Sequence, residues 1–352
     1  MPMCHNPAAE RHDTLALRGI RRTGAMGCVA TLHNFPSPSD RPVVGVLTGG
    51  VSGERDRSLL SGTTVIESLE RQGYTAHLID TAAPTFIQDV RHIDVAFLAI
   101  AGQYAEDGKL QGLLETLGIP YTGSGVLASA LAMRKPAAKA MVASAGVAVL
   151  PHVLIHPAGG RAVAAKVAER LGLPVIAKPC SEGGSIGIRL AHTEDELADL
   201  LADLGTSEGD VFVEPFIPGQ PVTVGVLEHG GEPSALPVLS TRPTGGTEFY
   251  DYLAKRDPVR HHYECPAQLP DDTARHLAAA ACDAHRALGC HGYSRSDFVV
   301  TDSGVYWLEA NTLPGLSQTG NLATVAAAAG IEYDKLITHI LDTAAPSTKY
   351  RP

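Results

Sequence analysis

The chain is short of positive charge, of long apolar runs and of paired cysteines, and each shortage excludes something. Its 352 residues carry 28 Lys and Arg against 38 Asp and Glu, a formal charge of −10. The basic footprint expected for nucleic acid is therefore missing, and no nucleic-acid partner is expected. No apolar run reaches the length that spans a bilayer, so no membrane partner is expected either. Residues 1–41 lack a continuous apolar stretch followed by a small-residue cleavage site, and so do not read as a secretory leader. They read as a disordered extension, with Met26 as an alternative start. The six cysteines (Cys4, Cys28, Cys180, Cys265, Cys282, Cys290) form no CxxC pair, which fits free thiols in a reducing cytoplasm. Internal repeats are absent. The Gly-rich turn "TGGVSGE" (48–54) departs from the G-x-G-x-x-G spacing, and no matching acid is evident at the end of the next strand. That disfavours a dinucleotide-dependent dehydrogenase.

What is present is length enough for two or three cores and an alternation of strand and helix signals. "PVVGVLTGG" (42–50) reads as a buried strand, "LLSGTTVIESLERQG" as a helix closed by Gly73, and "TAHLID", "VAFLAI" and "YTGSG" as further strands. This order implies a parallel α/β sheet over 42–122. Residues 126–146 read as helix, interrupted or reopened by Pro136. "PVIAKPCSEGGSIGIRL" (174–190) reads as two strands around a Gly-rich loop, followed by the helix "TEDELADLLADLG" and the strand "VFVEPFI". Beyond these come strands at 222–228 and 235–239, a loop over 240–257, a helix over 270–288, a hairpin and a C-terminal helix.

The hairpin "SDFVVTDSGVYWLEANTLPG" (296–315) places an acid on each strand. A three-residue loop, Asp302-Ser303-Gly304, would pair Thr301 with Val305, Val299 with Trp307, Asp297 with Glu309 and Arg295 with Asn311. Alternation then puts Arg295, Asp297, Glu309 and Asn311 on one face, and Phe298, Val300, Tyr306 and Leu308 on the other. Like charges directly opposite destabilise a sheet, so removing either acid should relieve strain in the empty protein. Two carboxylates and an amide oxygen suit Mg²⁺, with Mn²⁺ as an alternative. A solvated polar face is the other reading. The second cluster is Glu182-Gly183-Gly184-Ser185-Ile186-Gly187, with Lys178 on the strand before it and Lys135 further upstream. Backbone N–H groups of such a loop can close over phosphate oxygens, and the lysines can add charge. The alternative is a flexible turn beside a surface lysine.

The order of lysine, Gly-rich hairpin, acid-ended strand and "SRSDF…LEANTLPG" resembles the ATP-grasp ligases. More narrowly, the chain resembles the D-alanine–D-alanine ligase family over about 42–345, through "GERDRSLLSG", "AEDGKLQGLLETLGIPYTGSGVLASALAMRK", "KP…GGSIG", "FYDYLAK", "GYSRSDF" and "EANTLPG". The resemblance implies an α/β (α+β ATP-grasp) fold of three domains. These are an N-terminal substrate domain over 42–122, a central domain with the Gly-rich loop over 123–214 and a C-terminal domain with the metal site over 215–345, with a tail over 346–352. It implies ATP held between the last two domains, small amino-acid-like substrates, an acyl-phosphate intermediate and a homodimer. Lys135 and Lys178 match lysines on ATP phosphates, with Gly183, Gly184 and Ser185 in the loop, and Glu214 matches an acid near adenine and ribose. Asp297, Glu309 and Asn311 match the Mg²⁺ ligands. Arg295 and the Gly315 N–H match oxyanion stabilisers, Glu54 the acid that holds the first ammonium, and Lys255 a loop lysine that reaches phosphate and the second substrate.

Departures gather in the amino-acid pocket. Ala101 stands where the family has His, Gly184 where it has Ser, and Arg256 where it has Tyr. Gly320 replaces the Ser that holds the second substrate's carboxylate, Asn321 replaces the following Leu, and Pro221 replaces a second nucleotide-contacting acid. Arg256, with Lys255, is a candidate holder of an acidic group on the second substrate. The expected activity is an ATP- and Mg²⁺-dependent carboxylate–amine ligation with altered substrate choice. D-Ala-D-Ala ligation in cell-wall synthesis proper and a degenerate nucleotide-binding regulator are the alternatives.

Overall fold

The computed structural model describes residues 41–155, 160–184, 187–207, 210–243 and 261–344. Three strands, β1 (Val44–Thr48), β2 (Ala76–Asp80) and β3 (Val95–Leu98), form a parallel sheet in the order β2-β1-β3. Every residue of β1 is buried, as expected of a strand covered on both faces. Helices α1 (Arg55–Arg71), α2 (Phe86–Asp89) and α3 (Lys109–Leu117) connect and flank these strands. "YTGSG" does not form the expected strand; its part in the sheet is one bridge between Ala96 and Tyr121.

Next come α4 (Val126–Met133) and α5 (Lys135–Ser144), parted at Arg134, with Pro136 in the first turn of α5 where its missing N–H is no loss. A four-stranded antiparallel sheet follows. It is built from β4 (Val153–Ile155), β5 (Val175–Pro179), β6 (Arg189–Ala191) and β7 (Val211–Pro215) in the order β4-β7-β5-β6, with α6 (Gly160–Leu171) and α7 (Glu194–Ser207). The third sheet holds β8 (Gln220–His229), β9 (Glu232–Ala235), β10 (Leu239–Pro243), β11 (His261–Glu264), β12 (Tyr293–Thr301) and β13 (Gly304–Asn311). Its order is β11-β10-β8-β12-β13, with β9 paired to β8. The strand expected over 235–239 is instead two, ending at Ala235 and beginning at Leu239. Helices α8 (Asp271–Leu288), α9 (Asn321–Ala328) and α10 (Tyr333–Asp342) complete the described chain.

Three cores hold these layers. Ala132, Ala138 and Val142 of α4 and α5 pack with Leu277, Phe298 and Trp307, so these two helices lean on the third sheet and not on the central one. The core of the N-terminal sheet continues into Leu313, Leu316, Leu322 and Leu336. Hydrogen bonds reinforce the join: Leu316 N–H donates to Ser61 Oγ (3.1 Å), Ser68 Oγ to Asp334 (2.7 Å) and Arg71 to Asp334 (2.6 Å). The 312–320 segment is thereby fixed against α1, whose N-terminus carries Glu54.

The hairpin keeps half of its expected register. Arg295 pairs with Asn311 and Asp297 with Glu309, but then Phe298 pairs with Trp307 and Thr301 with Gly304. The loop is therefore two residues, Asp302-Ser303, and Leu308 is the extra residue of a bulge. The bulge reverses the faces beyond it. Trp307 is fully buried beside Phe298 and donates to Ser296 Oγ (3.1 Å), while Leu308 joins Glu309 at the site. Leu69→Ala, in the core shared by the N-terminal sheet and the C-terminal helices, is expected to cost about 2–5 kcal/mol. Urea unfolding followed by far-UV circular dichroism measures it.

Candidate active site

A cleft of about 370 Å³ lies where the three layers meet. Its size is that of a small-molecule site. Glu54, Lys178, Gly184 and Glu214 line it together with Arg295, Asp297, Glu309, Asn311 and Gly315. Lys135 reaches the same region through Glu309 (3.3 Å) and the Glu182 carbonyl (2.5 Å). Ser185, Lys255 and Arg256 lie outside the described residues.

Two acids, Asp297 and Glu309, face each other across the hairpin in this cleft. The opposed carboxylates are not left bare. Arg295 donates through Nε and Nη2 to both oxygens of Asp297 (3.0 Å each), and Lys135 faces Glu309. Thr223 Oγ1 also bonds Asp297. The expectation that removing either acid relieves strain is therefore corrected for Asp297. Its loss strands a guanidinium only 11% exposed, whose proton burial loosens and Asp297, together with Glu309 and Glu106, more than holds in place. The donor set fits a hard cation. The buried Asn311 amide nitrogen has no hydrogen-bond partner among the described residues, and turning the amide presents its oxygen in the same place. Among the described residues no cluster of three or more His, Cys, Asp or Glu offers another metal site.

A second part of the cleft is built on Glu214. Its side chain is 1% exposed, and its oxygens face Lys178 (2.5 Å) and Lys139 (2.8 Å). Burial works against the carboxylate, but the two ammonium groups outweigh it and hold Glu214 below the usual range. Burial likewise pulls Lys139 down, against Glu214. Lys139 was not among the expected residues; it lies one turn after Lys135 in "KPAAK" and shares its helix face. Leu150, Ile176, Phe216 and Leu308 add an apolar wall on which a purine can lie.

Glu54 sits over the Gly-rich loop. An idealised Cβ on Gly183 would come within 2.5 Å of Glu54 Oε2, and one on Gly184, whose φ is +62°, within 3.2 Å of Oε1. Arg57 donates to Glu54 Oε1 (3.1 Å). Beneath them Glu106 is buried and accepts N–H bonds from Gly102 (2.7 Å) and Leu313 (3.3 Å). Burial, with the charge of Glu54, pushes it up to about 7. Neither Glu106 nor Arg57 was singled out from the sequence. The turn "TGGVSGE" binds its own chain. β2 does end on an acid, Asp80, contrary to the sequence reading, but that carboxylate is occupied by Arg55 (2.5 and 3.0 Å) and the Gly50 N–H (3.1 Å).

Two family models match the chain. One described as "D-ala D-ala ligase C-terminus" matches residues 141–342, and one described as "D-ala D-ala ligase N-terminus" matches residues 80–124. The chain belongs to the D-alanine–D-alanine ligase family. It is 44% identical over 304 residues to a D-alanine–D-alanine ligase of Geotalea uraniireducens, covering 86% of this chain and 95% of that one. The corresponding ligase of Geobacter sulfurreducens is 42% identical over 86% and 93%. The fold matches the Bacillus anthracis D-alanine–D-alanine ligase complexed with ATP at a TM-score of 0.75 and 31% identity, covering 86% of this chain and 97% of that one. VanG D-Ala:D-Ser ligase from Enterococcus faecalis matches at 0.73 and 26% identity, over 86% and 99%. The fold is that of an ATP-grasp ligase, and the chain is an enzyme of that C–N bond-forming family.

Two outcomes follow from the buried acids. Glu214→Gln leaves two buried ammonium groups without their counter-charge and is expected to cost about 3–5 kcal/mol in chemical denaturation. Glu106 titrates higher folded than unfolded, so its contribution to stability is complete below its ordinary value of 4.5 and is lost as pH rises through about 7. Melting curves between those pH values should fall less steeply for Glu106→Gln than for the wild type.

Proposed function

We propose that the protein joins two amino acids through an amide bond, at the expense of ATP and with Mg²⁺, and that its natural substrates are D-amino acids. The observation that carries this reading is one cleft lined by an acid pair and amide, by Glu54, and by Arg295 and Gly315. A regulator that only holds nucleotide has no need of such a metal set beside an ammonium-binding acid.

Asp297, Glu309 and Asn311 would hold Mg²⁺, which when bound neutralises phosphate charge and orients phosphate oxygens. Bound ATP supplies the phosphoryl group that turns a poor acyl donor, a carboxylate, into an acyl phosphate. Positioning and charge are what such a transfer requires of the protein. Lys135 and Lys178 supply charge, and the Glu214–Lys139 pair keeps Lys178 in place. Glu54 pairs with the ammonium of the first amino acid, which aims its carboxylate toward the lysines. When the second amine attacks, negative charge grows on the carbonyl oxygen. Arg295 and the Gly315 N–H, which donates to no group among the described residues, are the donors for it. Losing one such donor costs about 10²–10³ in rate. A cytoplasmic homodimer is the setting that goes with this reading.

Phosphate release from Mg-ATP, measured over panels of D- and L-amino acids, tests it. D-amino-acid-dependent release with a dipeptide product supports the proposal. Release without an amino acid, or none with any, refutes it. Glu309→Gln is the cleaner metal variant, because Asp297 also anchors Arg295. It is expected to lower kcat by about 10² or more, since an interaction made in the transition state is lost, while the melting temperature of the ligand-free protein stays near that of the wild type.

A further inference from the structure

This inference rests on the reading that the cleft joins two amino acids, and it names what holds the second one. Each substrate brings a carboxylate. The first becomes the acyl donor, while the acceptor's stays charged to the end and needs a partner. The hydroxyl that would hold it in the resembled pattern is absent, because position 320 is glycine.

Among the described residues three cations line the cleft: Lys178, Arg295 and Arg57. Lys178 is taken by Glu214 at 2.5 Å, and Arg295 spends two of its nitrogens on Asp297. Arg57 differs. Its Nη1 donates to Glu54 Oε1 at 3.1 Å, and among the described residues its Nη2 has no hydrogen-bond partner. That open edge faces the turn after β13: an idealised Cβ on Gly315 would lie 3.8 Å from Arg57 Nη2. Gly320 is the next neighbour, since its own idealised Cβ would lie 3.1 Å from the Gly315 carbonyl oxygen. Gly320 N–H is already spent on Ser317 O (2.9 Å), so that backbone donor is not on offer. The Arg57 side chain is 47% exposed and can turn its free edge to a ligand, while Glu54 beside it is 10% exposed.

We propose that Arg57 is the carboxylate anchor of the acceptor amino acid, replacing the hydroxyl that Gly320 lacks. Glu54 and Arg57 lie one helical turn apart on α1 and share a face. Glu54 takes the ammonium of the first amino acid, and Arg57 offers its outer N–H groups to the carboxylate of the second. Each group of the pair then meets a ligand charge of opposite sign: the ammonium goes to Glu54 and the carboxylate to Arg57. A guanidinium suits this task, because its planar fork can serve two carboxylates at once.

The test uses the full chain with Mg-ATP and the amino acid that the substrate panel selects, comparing that amino acid with its carboxamide as acceptor. The carboxamide cannot be phosphorylated and so reports on the second position alone. Wild type should prefer the carboxylate acceptor by about tenfold or more, and Arg57→Ala should raise the acceptor KM by a similar factor and lose the preference. KM for ATP and for the first amino acid should stay within about threefold, and Arg57→Lys should recover part of the loss. A rise in the first-site KM alone would make Arg57 a positioning residue for Glu54 and overturn the proposal. So would an unchanged carboxamide preference in Arg57→Ala, whether acceptor KM is unchanged or a preference for acidic side chains disappears instead. Amino-acid-independent or absent turnover in the wild type would sink the ligase reading and this inference with it.

Discussion

A carboxylate that cannot reach water must find its counter-charge within the fold, and Glu214 finds two. Lys178 comes from the neighbouring strand of the central sheet, while Lys139 comes from a helix that packs on the third sheet. The ion cluster therefore joins layers that share no strand. Desolvating three charges is costly, and it is tolerable only because the geometry is close on both sides. Much follows from this one contact. It sets how far the central sheet stands from the acid-bearing hairpin. It also fixes the start of α5, so that Lys135, one turn before Lys139, meets Glu309.

The amino-acid end depends on a different join. Here an apolar core runs unbroken from the N-terminal sheet into the C-terminal helices, and Ser61 holds the backbone at Leu316. Glu54 and Gly315 are far apart in the chain yet belong to one packed unit. Catalytic groups held to fractions of an ångström need such support. The lysine end and the amino-acid end are thus referenced to separate contacts, and the Gly-rich loop spans both.

The parts of this site that follow local periodicity were legible in the sequence. Alternation along two strands was enough to bring Arg295, Asp297, Glu309 and Asn311 to one face, because the register at that end follows the pleat. The bulge at Leu308 was not legible, because it is decided by Trp307 turning into the core and bonding Ser296, a tertiary outcome. The same holds for Asp80, an acid at a strand end whose role depends on Arg55 folding back over it. Lys139 and Glu106 were passed over because burial, not pattern, gives them their character. Gly183 and Gly184 were recognisable as a loop, but their closeness to Glu54 joins segments more than a hundred residues apart. Lys255, Arg256 and Ser185 lie outside the described residues; Lys255 and Ser185 were read from the resemblance, and Arg256 from its departure from it.

The bulge leaves a further mark. Trp307 is the single tryptophan of the chain, it is fully buried, and it sits two positions from Glu309. Indole emission from this protein therefore has one origin, at the seam between the core of the third sheet and the acid pair. Its colour reports whether that core is dry. A change in its intensity when a divalent cation or nucleotide is added reports on the site itself, with no label and no neighbouring tryptophan to blur the signal.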